Sequence, residues 1–389
     1  MTSPSRDTTV GVYRCSDYDY DRVKACVDRI GTELLGGWGT FIPDGASVLI
    51  KPNFLKPATA AQCVSPHPVV VKAIAAACRE AGAGKIIIGD SPGFSTAQKV
   101  AAKCGILDIA NELGIEVVNF TESTAITAPP EFFHRQFSIA REAAEADIII
   151  NLPKFKTHAM MTMTLAVKNL YGLFVGKQKG RWHFQCGRDY HHFARLLVEL
   201  AYSVKPAVSI LDAVIGMEGN GPGSGSPRQL GFLAASRDML SLDRVALDIA
   251  GVDPEQVPIF DAGRACGLDS ALDSIPLIGD PVEPLKINDL KQAAHMDVQG
   301  PPYMRPLSWL IKRFVTVKPM VDAKACKGCR ICLEACPAES IIQKQNTGPV
   351  SIDHNTCIRC FCCQELCPEG AIMAKEALGV KMMKALGLE

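Results

Sequence analysis

Two periodicities alternate along the first 270 residues. Short continuous apolar runs, such as "ASVLI", "KIIIGD", "IEVVNF", "DIIINL", "AVSIL" and "LGFLAAS", have the β-branched character and length of buried strands. Between them lie longer segments with helical spacing. "DYDRVKACVDRIGTELLGGW" sets Val23, Cys26, Ile30 and Leu34 on one face. "PHPVVVKAIAAACREAGAG" carries Pro near its start and Gly past its end, the usual asymmetry of helix boundaries. "TAQKVAAKCGILDIANELG" reads as one helix, and "SIAREAAEA", "FARLLVELAYSVK" and "MLSLDRVALDIAGV" as three more. "NLPKFKTH" and "DAVIGMEG" read as polar loops that follow their strands. Strand and helix in repetition predict an α/β fold, a mostly parallel sheet with helices on both faces.

The pattern weakens after residue 270. "IPLIGDPVEPLKINDL" and "QGPPYMRPLSW" are Pro-rich connectors, so residues 271–318 are expected to form a linker. Within it, "PLSWLIKRFVTVKP" is amphipathic and is read as packing on its own protein rather than on a membrane. Residues 319–375 hold a cysteine-rich module, and 376–389 complete a C-terminal helix. The expected division is therefore 1–270, 271–318, 319–375 and 376–389.

Composition narrows the functional classes. Of 389 residues, 41 are Lys or Arg and 41 Asp or Glu, with no long run of either sign, so nothing suggests a nucleic-acid footprint. No apolar run approaches the roughly 18–20 residues of a transmembrane segment, and the N-terminus lacks an apolar signal core. The expected location is the cytoplasm. There, 16 cysteines argue for metal ligation more than for disulfides, because nine of them crowd between Cys326 and Cys367. The other seven are scattered singly and read as small core residues.

The crowded cysteines form an internal repeat. Cys326, Cys329, Cys332 and Cys336 recur 31 residues later as Cys357, Cys360, Cys363 and Cys367. Each half reads C-x2-C-x2-C-x3-C-P, and this arrangement resembles the bacterial two-cluster ferredoxins. That resemblance implies a small α+β ferredoxin-like iron–sulfur domain with two 4Fe-4S clusters, the fourth cysteine of each half crossing to the other cluster. Carried over, cluster one takes Cys326, Cys329, Cys332 and Cys367; cluster two takes Cys357, Cys360, Cys363 and Cys336. Cys362 is passed over by the spacing and is read as a packing thiol. Four thiolates also suit zinc, the main rival metal, although zinc sets do not usually run CxxC into Cys-Pro.

In open α/β sheets ligands bind beyond the carboxyl ends of strands, so the polar residues there draw attention. They include Lys51 and Asn53 in "KPNF", Asp90 and Ser91 in "GDSPG", and Asn151, Lys154, Lys156 and His158 in "NLPKFKTH". Lys168 and Asn169 follow in "VKNLYG", then Asp212 and Glu218 in "DAVIGMEGNGPG". With "VLIKPNF" and "IIGDSPG", these segments resemble the uncharacterised DUF362 family over about residues 8–270. The resemblance implies a shared fold and an iron–sulfur association, but no reaction.

Taken singly, each of these residues has an ordinary use: a strand-end Asp caps a turn, and a Lys faces water. Their joint occurrence points to one pocket. His158, Asp90 and Lys154 are the candidate acid, base or catalytic groups. Lys51, Asn53, Ser91, Asn151, Lys156, Lys168, Asn169, Asp212 and Glu218 are candidates to bind a small anionic ligand. "GKQKGRWHFQCGRDYHH" reads as a polar lid or cluster-facing surface, with no zinc-like spacing among its histidines. Walker, Rossmann and haem motifs are missing, which disfavours ATP, NAD and haem and leaves flavin or a further metal open. Three readings follow: a redox enzyme fed by the clusters, an electron carrier or adaptor that docks redox partner proteins, and a metal or cluster maturation factor.

Overall fold

The computed structural model describes residues 6–268, 271–294, 317–344 and 347–375. The expected C-terminal helix at 376–389 and most of "PLSWLIKRFVTVKP" lie outside these residues. The strands of the main body are β1 (Val10–Arg14), β2 (Ser47–Pro52), β3 (Lys85–Asp90), β4 (Glu116–Asn119), β5 (Ser123–Thr127), β6 (Gln136–Ala140), β7 (Ile148–Leu152), β8 (Lys154–His158), β9 (Thr162–Thr164), β10 (Val208–Glu218), β11 (Ser226–Ser236) and β12 (Leu277–Gly279). Its helices are α1 (Tyr20–Arg29), α2 (Trp38–Phe41), α3 (Pro68–Glu80), α4 (Ala97–Cys104), α5 (Ile106–Glu112), α6 (Arg141–Glu145), α7 (Ala166–Asn169), α8 (Gln178–Cys186), α9 (Tyr190–Val204), α10 (Met239–Ile249) and α11 (Pro258–Ala265).

The main sheet runs β12-β1-β11-β10-β7-β2-β3-β4, with β8 beside β10 and β9 beside β8. Pairing is parallel from β10 through β7, β2 and β3 to β4; β11 is antiparallel to both β1 and β10. The period of two explains why these strands read as unbroken apolar runs. Val48 and Ile50 of β2 point into the layer under α1, α3, α4 and α5, while Leu49 points into the layer under α7, α9, α10 and α11. Both faces are thus covered, as the α/β pattern requires.

Several elements differ from the sequence reading. The helix expected over "TAQKVAAKCGILDIANELG" is two helices, α4 and α5, broken at Gly105, whose φ of +85° ends the first. "SIAREAAEA" begins as strand β6 in a hairpin with β5 before turning helical. "KFKTH" is strand β8 rather than loop, pairing parallel to β10 and antiparallel to β9. β10 continues to Glu218 across an irregularity between Ala213 and Ile215, so Asp212 and Glu218 sit in a strand. In the segment expected as linker, β12 pairs with β1 and extends the sheet.

The C-terminal module is small and pseudo-symmetric. β13 (Lys318–Val321) pairs with β16 (Ile372–Lys375), and β14 (Ile341–Ile342) with β15 (Ser351–Ile352). Two one-turn helices, α12 (Ile331–Glu334) and α13 (Cys362–Leu366), each follow a residue in the left-handed region, Arg330 and Phe361. Among the described residues no helix is long and apolar enough to cross a membrane.

Candidate functional site

The C-terminal ends of β2, β3 and β8 carry charge into the protein interior. Lys51 Nζ lies 3.1 Å from Asp90 Oδ2, and both side chains are essentially unexposed. Asp90 also accepts the backbone N–H groups of Phe54 (2.8 Å) and Ser91 (2.7 Å), and Lys51 donates to Pro52 O (3.0 Å). Burial pushes the Lys51 ammonium below its usual range, against the pull of Asp90. Gly172 covers the pair so closely that a Cβ there would stand 2.2 Å from Asp90 Oδ1. The "YG" of the sequence motif is therefore a close approach of backbone to a buried charge pair.

An amide chain holds the floor beside this pair. Asn53 Nδ2 donates to Asn169 Oδ1 (2.8 Å), and Asn169 Nδ2 donates to Asn151 Oδ1 (2.8 Å). Asn151 in turn donates to Ser209 Oγ and Ala166 O. Lys156 donates to Val64 O (2.7 Å) and Asn53 Oδ1, and among the described residues no carboxylate pairs with it. Burial, with Lys168 nearby, pushes Lys156 down to about 7.

A cavity of about 780 Å³ opens above this floor. Asn53, Asp90, Ser91, Lys156, Lys168 and Asn169 line it from the strand ends. α8 and the turn before it add Lys177, Lys179, Arg181, His183 and Phe184, so the segment read as a lid forms one wall. The opposite wall belongs to the cysteine module: Glu334, Cys336, Pro337, Cys362, Glu365 and Leu366. Lys179 is lowered to about 8 and His183 to about 3, both chiefly by burial.

The module is fastened over the strand ends by polar contacts. Gln364 Nε2 donates to the carbonyls of Asn220 (3.1 Å) and Gly221 (3.0 Å) and to Asn220 Oδ1 (2.8 Å). Lys56 donates to Cys367 O (2.6 Å), and Arg188 to the carbonyls of Asn355 and Cys357. His158 Nε2 lies 2.9 Å from Glu365 Oε1. His158 Nδ1 accepts the backbone N–H groups of Met160 and Met161, which leaves the ring proton on Nε2, toward Glu365. Burial holds His158 down at about 4. Burial opposes ionisation of Glu365, but His158 and Lys168 outweigh it and keep the carboxyl near 2.

Other expected site residues stand elsewhere. Lys154 Nζ is buried against Asp212 Oδ2 (2.8 Å) and Tyr18 OH (2.7 Å), and Tyr18 donates back to Asp212 Oδ1 (2.9 Å). Two residues of extended strand, about 7 Å, set Lys154 back from Lys156 and away from the cavity. Asp212 also accepts the His67 N–H, whose ring stacks on Tyr18 at 3.7 Å. Glu218 accepts the Lys291 N–H outside the cavity. Lys51 and Asn151 lie beneath the lining rather than in it. Sequence reasoning missed Lys56, Gln364 and Glu365; the last two are hidden inside the cysteine motif.

The module's thiols ring two small voids. One is lined by Cys326, Cys329, Cys332 and Cys367, the other by Cys336, Cys357, Cys360, Cys362 and Cys363. Among the described residues no three His, Cys, Asp or Glu side chains converge on a point that could hold a single ion. Cys63, Cys78, Cys104 and Cys186 are buried singly in the body, Cys15 and Cys26 are buried side by side, and Cys266 is partly exposed.

Comparison with known proteins places these features. Residues 48–248 match DUF362, a domain of unknown function, and residues 318–368 match a 4Fe-4S dicluster domain. A thylakoid-associated protein of Synechocystis sp. is 42% identical over 263 residues, covering 67% of this chain and 80% of the relative. Among solved structures, the lactate racemase apoprotein from Thermoanaerobacterium thermosaccharolyticum is 14% identical with a TM-score of 0.42, over 64% of this chain and 60% of that one. A Thermotoga maritima protein is 11% identical with a TM-score of 0.38, over 66% and 59%. The chain thus spans about three-fifths of these two structures, and neither likeness is close enough to inform the site.

Proposed function

Starting from a chain that belongs to the DUF362 family and carries a ferredoxin-type iron–sulfur domain, we propose a redox enzyme that reduces an anionic substrate in the 780 Å³ cavity. One observation carries this reading. The cavity has Cys336 and Cys362 in one wall and Lys156, Lys168 and Lys179 in the other. A substrate held by the lysines therefore lies against the cage of cluster two.

Cys326, Cys329, Cys332 and Cys367 would hold cluster one, and Cys336, Cys357, Cys360 and Cys363 cluster two. The thiols surround voids, which suits a cubane; zinc needs its ligands to meet about 2.3 Å from one ion. When bound, each cluster supplies one electron at a time. The protein's own groups do the rest. Lys156, Lys168 and Lys179 hold negative charge, and Asn53, Asn169 and Ser91 orient the substrate. Glu365 in the cavity wall, with His158 Nε2 2.9 Å behind it, would be the group that exchanges a proton with the substrate, replacing the direct role first expected for Asp90, which is engaged with Lys51. The overall step takes two electrons from a redox partner protein and two protons, and adds both to the substrate. The exposure of Cys329 favours docking of the partner on the cluster-one side, and the proposed compartment is the reducing cytoplasm.

The test uses reduced, iron-loaded full-length protein under anaerobic conditions. It is mixed with the low-molecular-weight fraction of a native cell extract, and cluster absorbance is followed. The expected result is reoxidation by components that an anion exchanger retains, abolished by Lys168→Met with the starting spectrum unchanged. An inert small-molecule fraction beside an active protein fraction would replace this reading with the carrier or adaptor.

A further inference from the structure

Resting on that pocket, we infer the class of its ligand: an amphipathic acid with a flat, ring-bearing body and an anionic end.

Size comes first. A volume of about 780 Å³ falls among sites that enclose drug-sized molecules of roughly 300–1,000 Å³, and an inorganic anion or acetate fills little of it. Charge comes second. Lys156 has only amide and carbonyl oxygens as partners. Lys179 rests on the Ser91 carbonyl, and Lys168 makes no ion pair among the described residues, its Nζ lying 5.7 Å from the Tyr171 ring. Asp90 is engaged with Lys51, which leaves Glu365, among the described residues, as the one inner carboxylate facing three lysines. Glu334 and Glu339 are exposed at the rim, as are Lys177 and Arg181. Lys168, Lys179 and a partly protonated Lys156 thus face a single inner carboxylate, and that side of the interior favours an anion.

The apolar part is argued separately. Phe94 and Phe184 are large apolar side chains left 42% and 59% exposed, and both stand on the cavity wall. Leu366 and the Tyr171 ring continue that surface inward. Exposed aromatics around a concave site suit a ligand with an unsaturated face of its own. His183 supplies an independent sign of a missing partner: it is buried, lines the cavity, and its Nδ1 has no hydrogen bond. Its imidazole, neutral at pH 7, can make one hydrogen bond to a polar atom of the ligand.

The experiment is anaerobic equilibrium dialysis of iron-loaded, full-length protein with three probes: naphthalene-2,6-dicarboxylate, succinate and inorganic phosphate. The expected result is that the naphthalene diacid binds at least tenfold tighter than succinate. Phe184→Ser, at an exposed position, narrows that ratio below threefold, and Lys168→Met weakens both diacids at least tenfold. If succinate or phosphate binds as tightly as the ring compound, or Phe184→Ser changes nothing, the inference falls while an anion pocket stands. If no probe binds to protein with an intact cluster spectrum, both the inference and the pocket reading fall.

Discussion

Asp90→Asn is the sharpest test of how the strand-end charges are organised. Lys51 and Asp90 sit 3.1 Å apart with side chains 0% and 2% exposed. At an effective dielectric near 20, two unit charges at that distance attract by about 5 kcal/mol. Asparagine keeps an acceptor for the Phe54 N–H but leaves Lys51 charged without a counter-ion. Removing one partner of a buried pair costs roughly 3–5 kcal/mol. Because the Lys51 pKa is already lowered by burial, deprotonation offsets part of this, and about 3 kcal/mol is expected. At about 2–4 °C per kcal/mol for a body of this size, Tm drops by roughly 6–12 °C. The assay is anaerobic thermal unfolding by circular dichroism of wild type, Asp90→Asn, Lys51→Met and the double variant. The double variant should recover at least about 1 kcal/mol relative to the sum of the singles. A lysine with a lowered folded pKa leaves the unfolded chain holding more protons, so the Asp90→Asn deficit should also shrink as pH rises toward 10.5. An Asp90→Asn melt within about 2 °C of wild type, or strictly additive losses, would refute a coupled buried pair.

Three further outcomes are expected. Iron and sulfide analysis should give about eight of each per chain, with Cys336→Ser losing about half and Cys362→Ser keeping all, because Cys362 lines the second void without belonging to the repeat. Anion affinity should fall above pH 7, by at most tenfold per pH unit, as Lys156 loses its proton at about 7 among Lys168, Glu365, Lys154 and Asp90; dialysis from pH 6 to 9 reads it, and a flat profile contradicts the assignment of Lys156. Gln364→Ala removes three contacts to residues 220–221, so hydrogen exchange at 362–366 should accelerate at least tenfold while the sheet strands are unaffected.

The sheet was legible where burial on both faces makes a strand apolar throughout, as in β2 and β3. β8 was not, because Lys154, Lys156 and His158 give it the composition of a loop, and only tertiary partners account for their burial. Asp212 likewise reads as a strand-end residue, but β10 runs on past it to Glu218. The break at Gly105 was visible as a glycine, yet the apolar period continues through it and favoured one helix. At the site, local sequence brought the lysines to the strand ends but could not say which would find carboxylates. Lys51 and Lys154 are neutralised by Asp90 and Asp212, while Lys156 and Lys168 are left for the cavity. Glu365 and Gln364 went unnoticed because the cysteine spacing around them explains the segment without them.

The cavity's shared wall also bears on the order in which the molecule is made. The ribosome delivers the α/β body before the cysteine module, and domains generally fold as they emerge. On the proposed reading, until the module folds, Lys156 and Lys168 would belong to an open basic rim. Docking of Gln364 and Glu365 roofs that rim and strips its water. On the proposed reading, a chain whose module has not folded would lack the binding chamber as well as the electron path, so substrate would be admitted only by fully matured molecules.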